Sequence, residues 1–415
     1  MTKTHRVVIT GLGAISPVGN SAAEVWESVV NGKCGIDTIK GYEDADLPVT
    51  VAAQVKGFDA KAAGLSAADI RHEDLFCQYA VAASLEAMKS SGLVSGENID
   101  PERLGVYIGS GIGGINTFMT QAKVLMENGP RSISPLFIPM LISNLGGGNT
   151  AIKINAQGPC LASVSACATS TNTIGEAYLA IRDGRADAIV AGGAEAAISP
   201  IAVGGFASCK ALSTTEDPAL ACLPFDSRRH GFVMGEGAGI LVLEELEHAK
   251  ARGAEIIAEV CGYGHTCDAH HYTAPRPDGI VTARCISDAL EQAGYKEGEA
   301  LYINAHGTGT LLNDAAETKA IKIALGEDAK NANISSTKSM TGHMLGAAGG
   351  IELLISALAL KNGVVPPTIG LDSPDPELDL NYTPNKKVER KLDIAISNSL
   401  GFGGHNATVA LRRYE

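Results

Sequence analysis

Four stretches of the chain gather side chains able to form or break covalent bonds: Ser165-Ala166-Cys167, Asn304-Ala305-His306-Gly307-Thr308-Gly309-Thr310, Ser336-Thr337-Lys338-Ser339-Met340-Thr341-Gly342-His343 and Gly401-Phe402-Gly403-Gly404. Cys167 follows a β-prone run at 162–165 and precedes Ile174, Tyr178 and Ile181 at helical spacing, with Gly184 where a helix would stop. On such a strand-to-helix corner, free amides and the positive dipole end favour a thiolate, the nucleophilic form. Ala166, Ala168 and Ser170 leave room for a substrate. Taken alone, a buried structural role is commoner for any one of nine cysteines, and a lone histidine is more often a surface or satisfied core residue. A cysteine with one histidine would point to a protease or transferase. A cysteine with two histidines and a lysine fits a decarboxylating Claisen condensation better. Cys167 takes an acyl group from a thioester; a malonyl thioester then loses carbon dioxide, and the enolate oxygen needs donors. Neutral His306 and His343 supply Nε2–H groups to that oxygen. The backbone amides of Cys167 and Phe402 form a separate oxyanion hole, and Lys338 keeps the local field positive.

The elements that must position these groups read as α/β throughout. A strand and glycine turn occupy 6–19, and Asn20-Ser21 caps a helix through Val30. One long amphipathic helix is expected over 69–92 and a helical pair over 135–155. Strands are expected at 186–195, 240–243, 255–260, 300–305 and 333–336, and helices at 244–252, 282–294, 314–325 and 347–362. The last strand, corner and helix echo the surroundings of Cys167. The echo divides the chain into 1–254, holding the cysteine, and 255–415, holding both histidines and the Phe402 loop. Two stretches imitate other sites. Gly109-Ser110-Gly111-Ile112-Gly113-Gly114 follows a strand as a dinucleotide loop would, but Glu127 lies in a helix end and turn rather than at the end of a second strand. Cys261, His265, Cys267, Asp268, His270 and His271 are rich in metal-ligand types, but the cysteine spacing is too wide and no second pair follows, so no metal is expected.

Composition narrows the partners. A chain of 415 residues with 45% hydrophobic residues and 48 glycines is long enough for two tightly packed halves. One tryptophan and a net charge of −13 disfavour nucleic acid and anionic membranes. The lead-in of five residues before the first strand leaves no room for a signal peptide, and the apolar run 353–360 is too short to span a bilayer. Nine irregularly spaced cysteines read as free thiols of a cytoplasmic protein.

The four stretches, together with Val7-Val8-Ile9-Thr10-Gly11-Leu12-Gly13, Ala191-Gly192-Gly193-Ala194-Glu195 and the run from Asp226 through Arg229 to Gly239, resemble the β-ketoacyl-(acyl-carrier-protein) synthases. The type II elongation enzymes of fatty-acid synthesis are the nearest group, and the resemblance covers nearly the whole chain. It implies a thiolase-like fold of two duplicated α/β halves in α-β-α-β-α layers, a homodimer and a ping-pong reaction. No tightly bound cofactor is implied, because the phosphopantetheine arm arrives on the acyl carrier protein. By motif, Cys167 is the nucleophile, His306 and His343 assist decarboxylation, Lys338 and Glu352 support them, and Phe402 is the gate. Thr308, Thr310 and Thr273 would hold the arm, Ile112 and Phe206 would line the acyl pocket, and Glu352 would also touch substrate. Arg71, Arg131 and Lys210 would face the acidic carrier. The chain departs from the family's usual Ser at Gly309, small residue near Leu311 and Phe at Leu400. Gly309 is expected to loosen the arm-binding loop. A thiolase would need a second cysteine in 401–405, an initiating synthase an Asn at position 343, and a non-catalytic chain-length subunit would lack Cys167. A specialised polyketide role stays open.

Overall fold

Runs of Val, Ile, Leu and Ala form the ten strands of one main sheet in the computed structural model, which describes residues 4–415. The three residues Met1-Thr2-Lys3 of the short lead-in lie outside that range. Five strands come first: β1 (Val7–Ile15), β2 (Leu104–Gly109), β3 (Cys160–Leu161), β4 (Ala188–Glu195) and β5 (Gly237–Glu245). Five follow: β6 (Ala258–Cys267), β7 (Leu301–Asn304), β8 (Asn333–Ser335), β9 (Ile394–Gly401) and β10 (His405–Arg412). The first set lies in the order β3-β2-β4-β5-β1 and the second in the order β8-β7-β9-β10-β6. Counted within its own set, each order is third, second, fourth, fifth, first. The directions repeat too: two parallel pairings, then two antiparallel ones. Residues 7–9 pair with 258–260 and join the sets into one sheet. The duplication that the sequence showed only as an echo is therefore explicit in strand order.

Helices make five layers of this sheet. α1 (Leu75–Ser91) and α2 (Leu145–Ile154) cover the outer face of the first set. α3 (Thr169–Arg182) packs on β2, β4 and β5 on one side and β6 and β10 on the other. α4 (Ile280–Gln292) and α5 (Leu311–Leu325) cover the second set, and α6 (Ala348–Asn362) shares the middle layer with α3. That layer holds the main core, with Ile174, Ile181, Leu353 and Leu354 packed against Ile9, Leu243 and Val409. The apolar segment through α6 is longer than the sequence reading allowed. Residues 345–362 have the length and hydropathy of a membrane span, yet 83% of them are buried between the two sets of strands. Their apolarity serves the core.

α3 and α6 begin alike. A left-handed residue, Ala166 (φ 51°) or Leu345 (φ 49°), opens a 3-10 turn at Ala166–Ala168 or Leu345–Ala347 that runs into the helix. The two corners touch: Gly350 N–H donates to Ser170 Oγ at 2.9 Å, and a Cβ on Gly349 would sit 1.9 Å from Thr171 Oγ1. Several expectations need correction. The 69–92 helix is two, Ala67–His72 and α1, because Asp74 caps a second start by accepting from Phe76 N–H at 3.3 Å. Residues 162–165 form no strand; the edge strand is β3, two residues earlier. β5 runs on to Glu245, so the next helix is only Leu246–Ala251, and α5 starts at Leu311 rather than 314.

Candidate active site

Cys167 sits in the turn before α3 and opens into a cavity of about 290 Å³. His306, just past the end of β7, and His343, just before the α6 corner, line the same cavity. The halves thus bring one sulfur and two imidazoles together. The ring centroids of the histidines lie 5.2 Å apart at 86°. Burial lowers both imidazoles well below their usual pKa, and the Lys338 charge lowers them further. Both rings are neutral near pH 7. Each Nδ1 is buried with no hydrogen-bond partner, so a proton there would have no acceptor, and Nε2 is the donor left for the cavity.

The thiol does not follow the sequence expectation. Burial pushes Cys167 up to about 12, although Lys338 and the backbone N–H groups of Phe402 and Cys167 pull the other way. Desolvation outweighs the corner's positive end, and the resting group is a thiol. Lys338 itself is fully buried and does not line the cavity; its Nζ bonds Glu352 Oε1. It acts through its charge. Glu352, expected to touch substrate, lies in the first turns of α6 with its carboxylate committed to Lys338. Burial raises its pKa and the Lys338 ammonium opposes the rise.

Phe402 and Phe206 line the cavity with ring centroids 6.3 Å apart, and Phe232 links Phe206 (5.6 Å) to His343 (5.1 Å). Phe402 therefore reaches the His343 imidazole through two rings. Gly401 is forced: a Cβ there would lie 2.7 Å from Ser165 O and 3.2 Å from Cys167 N. Ile112 does not reach the cavity. It packs in the apolar cluster that includes Phe206 and donates its N–H to Glu195 Oε1 at 3.1 Å. Thr273, Thr308 and Thr310 are on the cavity wall, the last two with hydroxyls 3.0 Å apart. Gly309 between them is fixed rather than loose. It is left-handed (φ 76°), donates to Asp314 Oδ1 at 3.2 Å and accepts from Gly231 N–H at 3.1 Å. Leu311, 56% exposed, and Leu400 also face the cavity. Of the three basic residues, Lys210 lines the cavity; Arg71 and Arg131 are exposed elsewhere, on the Ala67–His72 helix and the Pro130–Ser132 turn.

Three buried acids have contacts that the sequence reading did not assign. Glu195 accepts from Ser110 Oγ, from Gly111 and Ile112 N–H, and from Gly346 N–H at 3.0 Å, so it joins both halves beside Cys167. It also occupies the amides that a dinucleotide loop would offer to phosphate. Glu317 on α5 accepts from His306 and Gly307 N–H at 2.8 Å each; burial still raises it to about 7. Asp314 takes the N–H of Phe225 and Gly309. Only an acid on the buried face of a helix could have pointed to Glu317, and it says nothing about which loop is held. In the metal-like stretch, the Cys261 and Cys267 thiols point at the carbonyls of Ala410 and Gly403.

A cavity-lining thiol facing two neutral imidazoles at the meeting of duplicated halves defines an acyltransferase of the condensing class. Residues 4–249 match the family described as "Beta-ketoacyl synthase, N-terminal domain" and 257–372 the one described as "Beta-ketoacyl synthase, C-terminal domain". The chain belongs to the beta-ketoacyl synthase family. It is 49% identical over 415 residues, all of both chains, to a 3-oxoacyl-[acyl-carrier-protein] synthase 2 of Staphylococcus aureus (strain COL). Among solved structures, it resembles the ishigamide ketosynthase/chain length factor (TM-score 0.92, 34% identity, 99% of this chain and 100% of that one). It also resembles a chain of a type II PKS acyl-carrier protein in complex with its ketosynthase bound to the hexaketide (TM-score 0.89, 35% identity, 99% and 100%).

Proposed function

We propose that the protein is a 3-oxoacyl-[acyl-carrier-protein] synthase that lengthens a fatty acyl chain by one two-carbon unit. The observation that carries this reading is the shared cavity of Cys167, His306 and His343 with both rings neutral. The Cys167 sulfur attacks the acyl thioester, with the oxyanion held by the backbone N–H groups of Cys167 and Phe402; the carrier's thiol leaves with the proton. Malonyl-carrier enters next. Its carboxylate bond breaks, carbon dioxide leaves, and the electron pair becomes an enolate whose oxygen accepts from Nε2–H of His306 and His343. The enolate carbon attacks the Cys167 thioester, the carbon–sulfur bond breaks, and the departing thiolate takes up one proton from solvent water. Lys338, held by Glu352, stabilises negative charge in each step and disfavours protonation of the rings. Thr273, Thr308 and Thr310 hold the phosphopantetheine arm, Phe206 borders the acyl chain, and Phe402 gates it. Ile112 acts through Phe206.

The partners follow from the same reading. Acyl- and malonyl-loaded carrier protein docks at the cavity mouth, with Lys210 at the rim and Arg71 and Arg131 farther out. The active species is a cytoplasmic homodimer whose subunits each divide into 1–254 and 255–415. Exposed Ile152 (81%) and Val164 (56%) flank the free edge strand β3 in sequence and support an interface there. The test offers the protein acyl-carrier thioesters of graded length with malonyl-carrier. A Cys167 adduct and a product two carbons longer are expected, with Cys167→Ala giving neither. Elongation by that variant would refute the nucleophile.

A further inference from the structure

We propose that Tyr263 and Asn172 are positioning residues for acyl transfer, forming a strut from the C-terminal half that holds the strained turn beneath Cys167. Tyr263 Oη donates to Asn172 Oδ1 at 2.7 Å, and Asn172 Nδ2 donates to Ser165 Oγ at 2.6 Å. Ser165 is the residue before Ala166, the left-handed non-glycine residue on which the nucleophile turn pivots. Such a conformation persists only where neighbours over-determine it. On one side Gly401 of β9 packs against Ser165 O; on the other, the Tyr263–Asn172 pair grips its hydroxyl. The grip is built in. The Tyr263 ring is 5% exposed and lies where a Cβ on Gly175 would be, 2.3 Å from ring carbons, so α3 is notched to admit it. Burial, with Glu176 nearby, raises the hydroxyl's pKa, and the group stays a donor at working pH. Glu176 Oε1 is a second, more distant acceptor at 3.5 Å.

The strut lies behind the catalytic wall rather than on it. Ser165, Asn172 and Tyr263 line a second cavity of about 630 Å³, whereas Asn172 and Tyr263 do not line the one that holds the imidazoles. The nucleophile turn thus lies between the two cavities; locally Ser165 N–H donates to Thr169 Oγ1 at 2.9 Å, and from the C-terminal half the turn is held at the rear by the Tyr263–Asn172 chain. What that chain sets is the aim of the Cys167 and Phe402 N–H groups at the sulfur and at the acyl oxygen.

This inference rests on the condensing reading, and its test separates the two. Tyr263→Phe keeps the ring and removes only the donor. Single-turnover acylation of Cys167, read by intact mass, is expected to fall about fivefold, the worth of one net hydrogen bond. Carbon dioxide release from malonyl-carrier by already acylated protein should stay within about twofold, because His306 and His343 do not depend on the strut. Asn172→Ala should cause the same loss, and the double variant little more, since both act through one chain. Equal losses in both half-reactions, additive losses, or unchanged acylation would each overturn the proposal. Alkylation of Cys167 by iodoacetamide needs no condensation activity, so it reads the strut even if the parent fails to elongate. A fall of about threefold in Tyr263→Phe is expected, and an unchanged rate overturns the strut.

Discussion

A thiol with a pKa of about 12 is a poor nucleophile at neutral pH unless its proton leaves as the bond to carbon forms. Cys167 therefore depends on groups that act in the transition state: two backbone N–H donors and the Lys338 charge. The same charge and the same burial keep His306 and His343 neutral. Because their pKa values are lowered, both rings stay neutral as pH falls from 8 through 6.5 and protonate only at more acid values. The rate of malonyl decarboxylation by acylated protein should accordingly show no inflection near 6.5. A step there would mean that a ring titrates like an ordinary histidine.

At the scale of elements, catalysis depends on how closely the β9 end approaches the nucleophile turn. Gly401→Ala places a methyl against Ser165 O and Cys167 N, and overpacking of this kind costs about 1–3 kcal/mol. Stopped-flow or quenched acylation of this variant should be at least about tenfold slower, while the unfolding midpoint drops only modestly; wild-type acylation would show that the approach is not needed. Much of this level was legible in the sequence. The corners at Cys167 and His343 announced themselves through small residues, helical spacing and terminal glycines. Other features were not. The run 162–165 has strand-like composition, yet it bends into the turn because Ala166 must adopt a positive φ. Asp74 interrupts the apolar period of 69–92 only through a cap that needs its own geometry. Glu195 meets Gly111 and Gly346 from 84 and 151 positions away, and no local pattern encodes that meeting. Ile112 and Glu352 were placed at the substrate by resemblance, and only packing shows them off the cavity wall, Ile112 in the apolar cluster that holds Phe206 and Glu352 bonded to the buried Lys338.

For the whole molecule, the repeated strand order explains why the nucleophile and the imidazoles come from different halves: each half contributes one corner, and α3 and α6 hold the corners in contact. A chain of net charge −13 must meet an acidic carrier through local basic side chains. Lys210→Glu should raise the KM for carrier-bound substrate about two- to fivefold, in keeping with the ~0–1 kcal/mol of an exposed pair, and leave the KM for carrier-free acyl pantetheine unchanged. Equal KM values with carrier substrate would remove Lys210 from the docking surface. The central claim is that one sulfur and two imidazoles divide the chemistry between acyl transfer and decarboxylation. It is tested most directly by loading Cys167 with an acyl group, adding malonyl-carrier and following the adduct by intact mass in the wild type and in His343→Ala. The account predicts that both proteins load, that the wild type loses its adduct to a product two carbons longer, and that His343→Ala keeps its adduct and releases no carbon dioxide. A His343→Ala protein that discharges its adduct at the wild-type rate, or that never loads, would contradict it.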